Sequence, residues 1–165
     1  MKGRSSSFVT LTLVLMGANE IEMMPEAMKQ LTTEFLKVID ICKVELNSPD
    51  SVLGDLYHLW KEEYDQVGRD AGCLIHCITK KLDLLDGEGK IHHGNTKDFV
   101  MKNGGEENIA SQLITTAHDC EKKHVAVADD CQRVLEMAKC LRSNISQIQW
   151  TPKTEVVITE LVAEI

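Results

Sequence analysis

Apolar residues recur three or four positions apart along this chain, and the first such run is Met28, Leu31, Phe35 and Ile39. That period predicts an amphipathic helix. A second run, Leu53, Leu56, Leu59 and Trp60, follows Ser48-Pro49-Asp50. Ser48 is a suitable N-cap and Pro49 a suitable first helical residue. No alternating, strand-like pattern competes, so the chain is predicted to be all-α.

The middle of the chain continues the pattern between turn signals. A third helix is predicted from about residue 70 to residue 82, and Asp86-Gly87-Glu88-Gly89 is predicted to be a turn. Asn95 is expected to cap a short helix that runs to about Lys102. Two longer helices follow, and the second opens on Asp129-Asp130, which suits the helix dipole. Their apolar faces contain Ile109, Leu113, Ala117 and Cys120 in the first, and Cys131, Val134, Leu135, Ala138 and Leu141 in the second.

Both ends of the chain differ from this middle part. Lys2 and Arg4 precede the apolar run 8–18, which is too short for a membrane span of about 20 residues. Residues 1–23 are therefore predicted to be a secretory signal peptide, cleaved somewhere in 17–23. Residues 24–149 form the domain, and residues 150–165 form a tail whose amphipathic pattern predicts a helix that either packs permanently or detaches.

The six cysteines are Cys42, Cys73, Cys77, Cys120, Cys131 and Cys140. In a secreted protein they are expected to form three disulfides, but spacing alone leaves the pairing open. Cys73 and Cys77 are four residues apart on a predicted helix, so they share a face and are expected to reach two different partners. The spacing is not that of a zinc site.

Charge and motifs limit the function classes. The net charge of -8, with 4% aromatic residues, disfavours nucleic acid and anionic membrane as partners. His118-Asp119 resembles the dyad of secreted phospholipases A2, but the calcium loop of that family is missing. Such a lipid hydrolase is the alternative interpretation. His92-His93 are consecutive and are expected to point apart, so one metal site rarely uses both. No Gly-x-Ser-x-Gly, P-loop or dinucleotide motif is present. No metal, cofactor or enzymatic activity is therefore expected.

The cysteine gaps are 30, 3, 42, 10 and 8 residues. From about Met24 to Ile165 the chain resembles the insect odorant-binding protein family, in which the gaps of three and eight recur. It is most similar to the moth pheromone-binding proteins. The stretches that carry this resemblance are Leu59-Trp60-Lys61-Glu62, Lys81-Leu82-Asp83-Leu84-Leu85-Asp86, Ile91-His92-His93-Gly94-Asn95, and Trp150-Thr151-Pro152 through Glu160-Leu161-Val162-Ala163-Glu164.

The resemblance implies a compact bundle of about six helices around an internal hydrophobic cavity, plus the tail helix. It also implies the pairing Cys42–Cys77, Cys73–Cys131 and Cys120–Cys140. Thr79 stands where relatives have a serine that bonds the polar head of the ligand, His76 could add a donor, and Leu141 replaces a frequent phenylalanine. The implied cavity wall comprises Met28, Phe35, Leu56, Leu59, Trp60, Ile75, Ile91, Phe99, Ala117 and Val157.

The function implied by the resemblance is extracellular transport of a long-chain unsaturated alcohol, acetate or aldehyde in the antennal sensillum lymph. Release on acidification is expected to use His92, His93 and His118 and the tail acids Glu155, Glu160 and Glu164. Further partners implied are an olfactory receptor complex at the neuron membrane and, at neutral pH, a second copy of the chain. A helical signalling ligand, which needs no cavity, is a third interpretation.

Overall fold

The computed structural model describes residues 26–102, 105–145 and 148, and side chains from Leu36 onwards. The described part is all-α, as predicted, and its only β feature is a single antiparallel bridge between Leu85 and Ile91. A short 3-10 helix spans Tyr64–Gln66. The α-helices are α1 Glu26–Leu46, α2 Ser51–Trp60, α3 Arg69–Lys81, α4 His93–Lys102, α5 Glu107–His124 and α6 Asp130–Ile145. The predicted signal peptide and tail helix lie outside the described residues.

The prediction for the start of α2 was wrong. The helix begins at Ser51, with Asp50 rather than Ser48 in the N-cap position. Ser48 instead belongs to the end of α1, because its N–H donates to the carbonyl of Lys43 at 3.0 Å. The side chain of Lys43 also donates to Asp50 at 2.6 Å, so the whole link between the helices is tied to α1.

The predicted N-cap of α4 was also wrong. The helix begins at His93, two residues before Asn95. Nδ1 of His92 accepts a hydrogen bond from the backbone N–H of Asn95 at 3.2 Å. The His92 ring therefore caps the helix in place of the asparagine. The side chain of Asn95 turns back and donates to the carbonyl of Asp83 at 2.8 Å, which holds α4 against the end of α3.

Helices α1, α2 and α3 end in the same backbone motif. Asn47, Glu62 and Asp83 follow these helices with φ of 49°, 62° and 55°. At each end, two backbone N–H groups turn back to carbonyls of the last turn, as in the bond from Leu84 to Thr79 at 2.9 Å. Glycine usually fills the left-handed position because other residues have a Cβ that clashes there. None of these three ends uses one.

Two clusters of buried side chains hold the helices together. The larger one joins α1, α2, α3 and α6 and comprises Ile39, Cys42, Val52, Leu53, Val67, Ala71, Leu74, Ile78 and Leu135. The smaller one joins α4 and α5 to Ile148, beyond the end of α6, and comprises Val100, Ala110, Leu113 and Ile148. Helix α3 packs most closely on α6, because Gly72 faces the backbone of Cys131 there.

The three disulfides are the ones that the resemblance implies. Cys42–Cys77 joins α1 to α3, Cys73–Cys131 joins α3 to α6, and Cys120–Cys140 joins α5 to α6. Cys73 and Cys77 therefore reach different helices, as their spacing predicted. The bridges link the helices in the order α1, α3, α6, α5, and neither α2 nor α4 contains a cysteine.

Candidate functional site

The predicted ligand-contact residues whose side chains the structure describes are spread over five helices and one loop. Ala117 is buried, and the rest of those with described side chains are half-buried: Leu56, Leu59, Trp60, Ile75, His76, Thr79, Ile91, Phe99 and Leu141. Leu56 and Leu59 pack against the larger buried cluster. The side chains of Met28 and Phe35, and all of Val157, lie outside the described part. Contact of these residues with a ligand stays a prediction.

Thr79 lies near the end of α3, where the polar head of a ligand is expected. Its Oγ1 is within hydrogen-bonding distance of the carbonyls of Ile75, at 2.9 Å, and His76, at 3.0 Å. The hydroxyl proton is therefore directed into the helix, and the oxygen lone pairs are left as acceptors. Thr79 is thus suited to accept a hydrogen bond from a ligand hydroxyl.

Trp60 is held by residues that the sequence analysis missed. The guanidinium of Arg142 on α6 lies 4.5 Å from the centre of the indole ring, a cation–π contact. Its Nε donates to the Trp60 carbonyl at 2.8 Å, and Nη1 lies 3.2 Å from Oε1 of Glu62. No sequence pattern links residues so far apart. Together these contacts fix the end of α2 on α6.

The three predicted pH-sensitive histidines lie together where α4 begins on α5. The rings of His93 and His118 are stacked, with centroids 6.1 Å apart. Nδ1 of His118 is 3.2 Å from Oε2 of Glu121, and Oε1 of Glu121 accepts the N–H of Ile91 at 3.0 Å. Glu121, which sequence reasoning missed, therefore connects the histidine pair to the loop before α4.

The loop before α4 is ordered by the side chain of Asp86. Its Oδ1 accepts the backbone N–H groups of Glu88 and Lys90, both at 2.9 Å. The pKa of Asp86 is lowered, mainly by the hydrogen bond from Lys90 and to a lesser degree by the Glu88 N–H and the charges of Lys90 and His92. The predicted turn is confirmed, and the Asp86 carboxylate accepts hydrogen bonds from its backbone.

His76 lies half-buried on α3, and its surroundings change its pKa. Burial lowers the pKa of His76, and the positive charge of Lys80 lowers it further, while Asp130 opposes this shift. His76 therefore takes up its proton at a lower pH than an ordinary histidine does. As the pH falls, the unfolded chain takes up this proton before the folded chain does, so His76 reduces stability on the acid side.

The His118-Asp119 pair is not arranged as a catalytic dyad. His118 pairs with Glu121, whereas Asp119 is exposed and lies 3.3 Å from Nζ of Lys122. Within the described ranges, no three histidine, cysteine, aspartate or glutamate side chains are grouped so that they could hold a metal ion. The two residues act in separate surface pairs, which argues against the lipid-hydrolase alternative.

An open groove of about 440 Å³ runs between α5 and the end of α6. It is lined by Ser111, Gln112, Thr115, Thr116, Asn144 and Ile148, and by none of the predicted ligand-contact residues. The hydroxyls of Ser111, Thr115 and Thr116 donate to carbonyls four residues earlier in α5. The groove is therefore an open surface feature, separate from the predicted ligand-contact residues. Among the described helices, none has the length and apolar character needed to cross a membrane.

Known proteins with similar sequences are moth carriers. Pheromone-binding protein 2 of Epiphyas postvittana is 34% identical over 145 residues, which cover 88% of each protein. General odorant-binding protein 2 of Heliothis virescens is 32% identical over 158 residues, 96% of this chain and 93% of that protein. The crystal structure of pheromone binding protein 3 of Epiphyas postvittana is similar with a TM-score of 0.68 and 47% identity, and covers 70% of this chain and 99% of that one.

The family assignment follows from these similarities and from the disulfide pattern. A model of the PBP/GOBP family matches residues 25–144, which is most of the chain and includes all six cysteines. The three bridges pair those cysteines in the order that the resemblance implies. The chain belongs to the PBP/GOBP family, whose members are odorant-binding carriers and not enzymes.

Proposed function

We propose that the chain is a secreted carrier that binds a long-chain pheromone or odorant inside the helical bundle. In this proposal residues 1–23 are removed on secretion and the ligand is an unsaturated alcohol, acetate or aldehyde in the sensillum lymph. The observation that carries the proposal is the 47% identity to a solved pheromone-binding protein over nearly its whole length. The half-buried apolar side chains on α2, α3, α4 and α6 support it.

Binding of such a ligand needs little polar chemistry. Burying each CH2 group contributes about 0.8 kcal/mol, so the chain supplies most of the affinity. Thr79 then has only to orient the head group, and its open lone pairs suit a hydroxyl head. Leu141, in place of a ring, leaves more room beside the ligand chain.

Affinity is expected to rise with ligand chain length. From dodecanol to tetradecanol to hexadecanol, each added CH2 should strengthen binding about fourfold until the cavity is filled. Competitive displacement of a fluorescent probe from the full mature chain measures this series. Decanoyl sucrose, which has an apolar chain but a bulky polar head, is the control and should bind weakly. An affinity that does not depend on chain length would contradict a buried apolar site.

Release on acidification is proposed to begin at the histidines of α4. Protonation of His92 removes the acceptor for the Asn95 N–H and places a positive charge at the start of a helix, where the dipole disfavours it. If His93 and His118 are both charged, they repel by about 0.7 kcal/mol in water and more where water is excluded. Asp86 and Glu121 oppose these charges, and Lys90, next to Glu121, adds to them. In this proposal the repulsion outweighs the attraction, and the start of α4 is held less firmly against α5.

The tail is proposed to complete the release. Protonation of Glu155, Glu160 and Glu164 lets the apolar arc of the tail helix leave water and occupy the cavity, because an apolar site favours neutral carboxyl groups. The tail lies outside the described residues, so this step is supported by the amphipathic pattern of residues 154–165 and by the resemblance.

Ligand affinity is expected to fall at least tenfold between pH 7 and pH 5. A chain that lacks residues 154–165 should keep most of its affinity at pH 5. His92→Asn, which offers a pH-independent cap at α4, should reduce the acid loss in the full-length chain. Probe titrations across this range measure all three proteins. A flat titration of the full chain would exclude the switch, and equal losses with and without the tail would exclude the tail.

A further inference from the structure

Among the buried side-chain hydroxyls that the structure describes, one on α4 has no hydrogen-bond partner. Thr79, Ser111, Thr115 and Thr116 each donate to the carbonyl four residues earlier in their own helix. Oγ1 of Thr96, on α4, is buried and has no hydrogen-bond partner within the described part of the chain. A helix carbonyl would satisfy this oxygen easily, so its orientation away from the helix calls for another explanation.

The position of Thr96 on α4 directs it towards α5. His93, three residues earlier, stacks on His118 of α5, and Val100, four residues later, packs with Ala110 and Leu113 of α5. Thr96 lies between these two contacts on the same face of α4. Since the helices run antiparallel, this places it at the level of Ile114 and Ala117. Phe99 and Ala117, two of the predicted wall residues, lie on the same two helices.

We propose that Thr96 is a second polar contact for the ligand and that it recognises a carbonyl oxygen. The hydroxyl proton of Thr96 is uncommitted, so it can be donated to the carbonyl of a long-chain aldehyde or acetate ester. The proton of Thr79 points into its own helix, so Thr79 can only accept, which suits an alcohol. The two threonines would then recognise different head groups, Thr96 a carbonyl and Thr79 a hydroxyl. This inference rests on the proposed function, that is, on an apolar ligand inside the bundle.

The test uses the full mature chain and four ligands with the same carbon skeleton: hexadecenal, hexadecenyl acetate, hexadecenol and hexadecene. Thr96→Val should weaken binding of the aldehyde and the acetate about five- to tenfold, the effect of one buried hydrogen bond. Binding of the alcohol and the alkene should change by less than about twofold. Thr96→Ser should restore the aldehyde and acetate, and Thr79→Val should weaken only the alcohol.

The outcomes separate this inference from the proposed function. If the unmodified chain binds none of the four ligands, the proposed function fails. If it binds them but Thr96→Val changes all four equally, or none, then Thr96 is not a head-group contact. Thermal unfolding of the unliganded protein adds a second measurement. Thr96→Val should leave its midpoint unchanged or raised, because no bond is lost, and a lowered midpoint would show that the hydroxyl has an internal partner and would overturn the inference.

Discussion

Gly72→Ala is expected to lower the free energy of unfolding by about 3 kcal/mol or more. A Cβ at this position would lie 2.1 Å from the carbonyl oxygen of Cys131 and 2.9 Å from Cβ of Leu135. Neither atom is the end of a flexible side chain, so relief requires α3 and α6 to separate. That separation would open the closest helix contact of the larger buried cluster.

Gly54→Ala is the matched control, since Gly54 also lies within a helix. A Cβ there would meet nothing within 4 Å. Alanine is the better helix former, so this substitution should raise the free energy of unfolding by about 1 kcal/mol. Chemical denaturation of both variants measures the pair. Two changes of the same sign would show that close packing at Gly72 is not what constrains that position.

Replacing Cys73 and Cys131 together by serine is expected to cost about 4 kcal/mol, because the bridge closes a long loop in the unfolded chain. The two residues are 58 positions apart, against 20 for Cys120 and Cys140, whose removal should cost about 3 kcal/mol. Cys73 and Cys131 are half-buried, so serine hydroxyls there stay partly hydrated. The loss therefore reports the cross-link itself. Urea denaturation measures both double variants.

The contact between α3 and α6 at Gly72 provides the control for this prediction. Without the Cys73–Cys131 bridge, α3 and α6 can move apart more easily. Gly72→Ala should therefore cost less in the Cys73→Ser/Cys131→Ser background than in the native chain, because two contacting sites are not additive. Strict additivity of the two changes would contradict a shared contact. A greater loss from the bridge that closes the shorter loop would contradict the loop-length argument.

The positions of the helices could be predicted from sequence because apolar residues at helical spacing directly determine which faces are buried. Their ends could not. Ser48 satisfies the usual rule for an N-cap, yet it closes the preceding helix. His92 is not a usual cap, so the sequence favoured Asn95. Asn47, Glu62 and Asp83 take the left-handed conformation without the glycine that normally announces it.

The candidate site, too, could be predicted only in part. The resemblance supplied the disulfide pairing and the three histidines, which the structure brings together at the start of α4. It could not supply Arg142 or Glu121, because each acts through a partner that is distant in the sequence, Trp60 and Ile91. Thr96 is distinguished by a hydroxyl without a hydrogen-bond partner in the described part of the chain. A sequence cannot show this, because it depends on where the surrounding donors and acceptors lie.

The disulfides divide the bundle into a cross-linked frame of four helices and two helices, α2 and α4, that have no disulfide to it. Helices α1, α3, α6 and α5 are linked in series, so none of them can leave the frame without breaking an S–S bond. Helices α2 and α4 are held to the frame by side-chain packing, hydrogen bonds and charged contacts, without a disulfide. A local opening that admits a molecule therefore costs least at these two helices. Reduction would remove this distinction, so an oxidising environment preserves both the frame and the places where it opens.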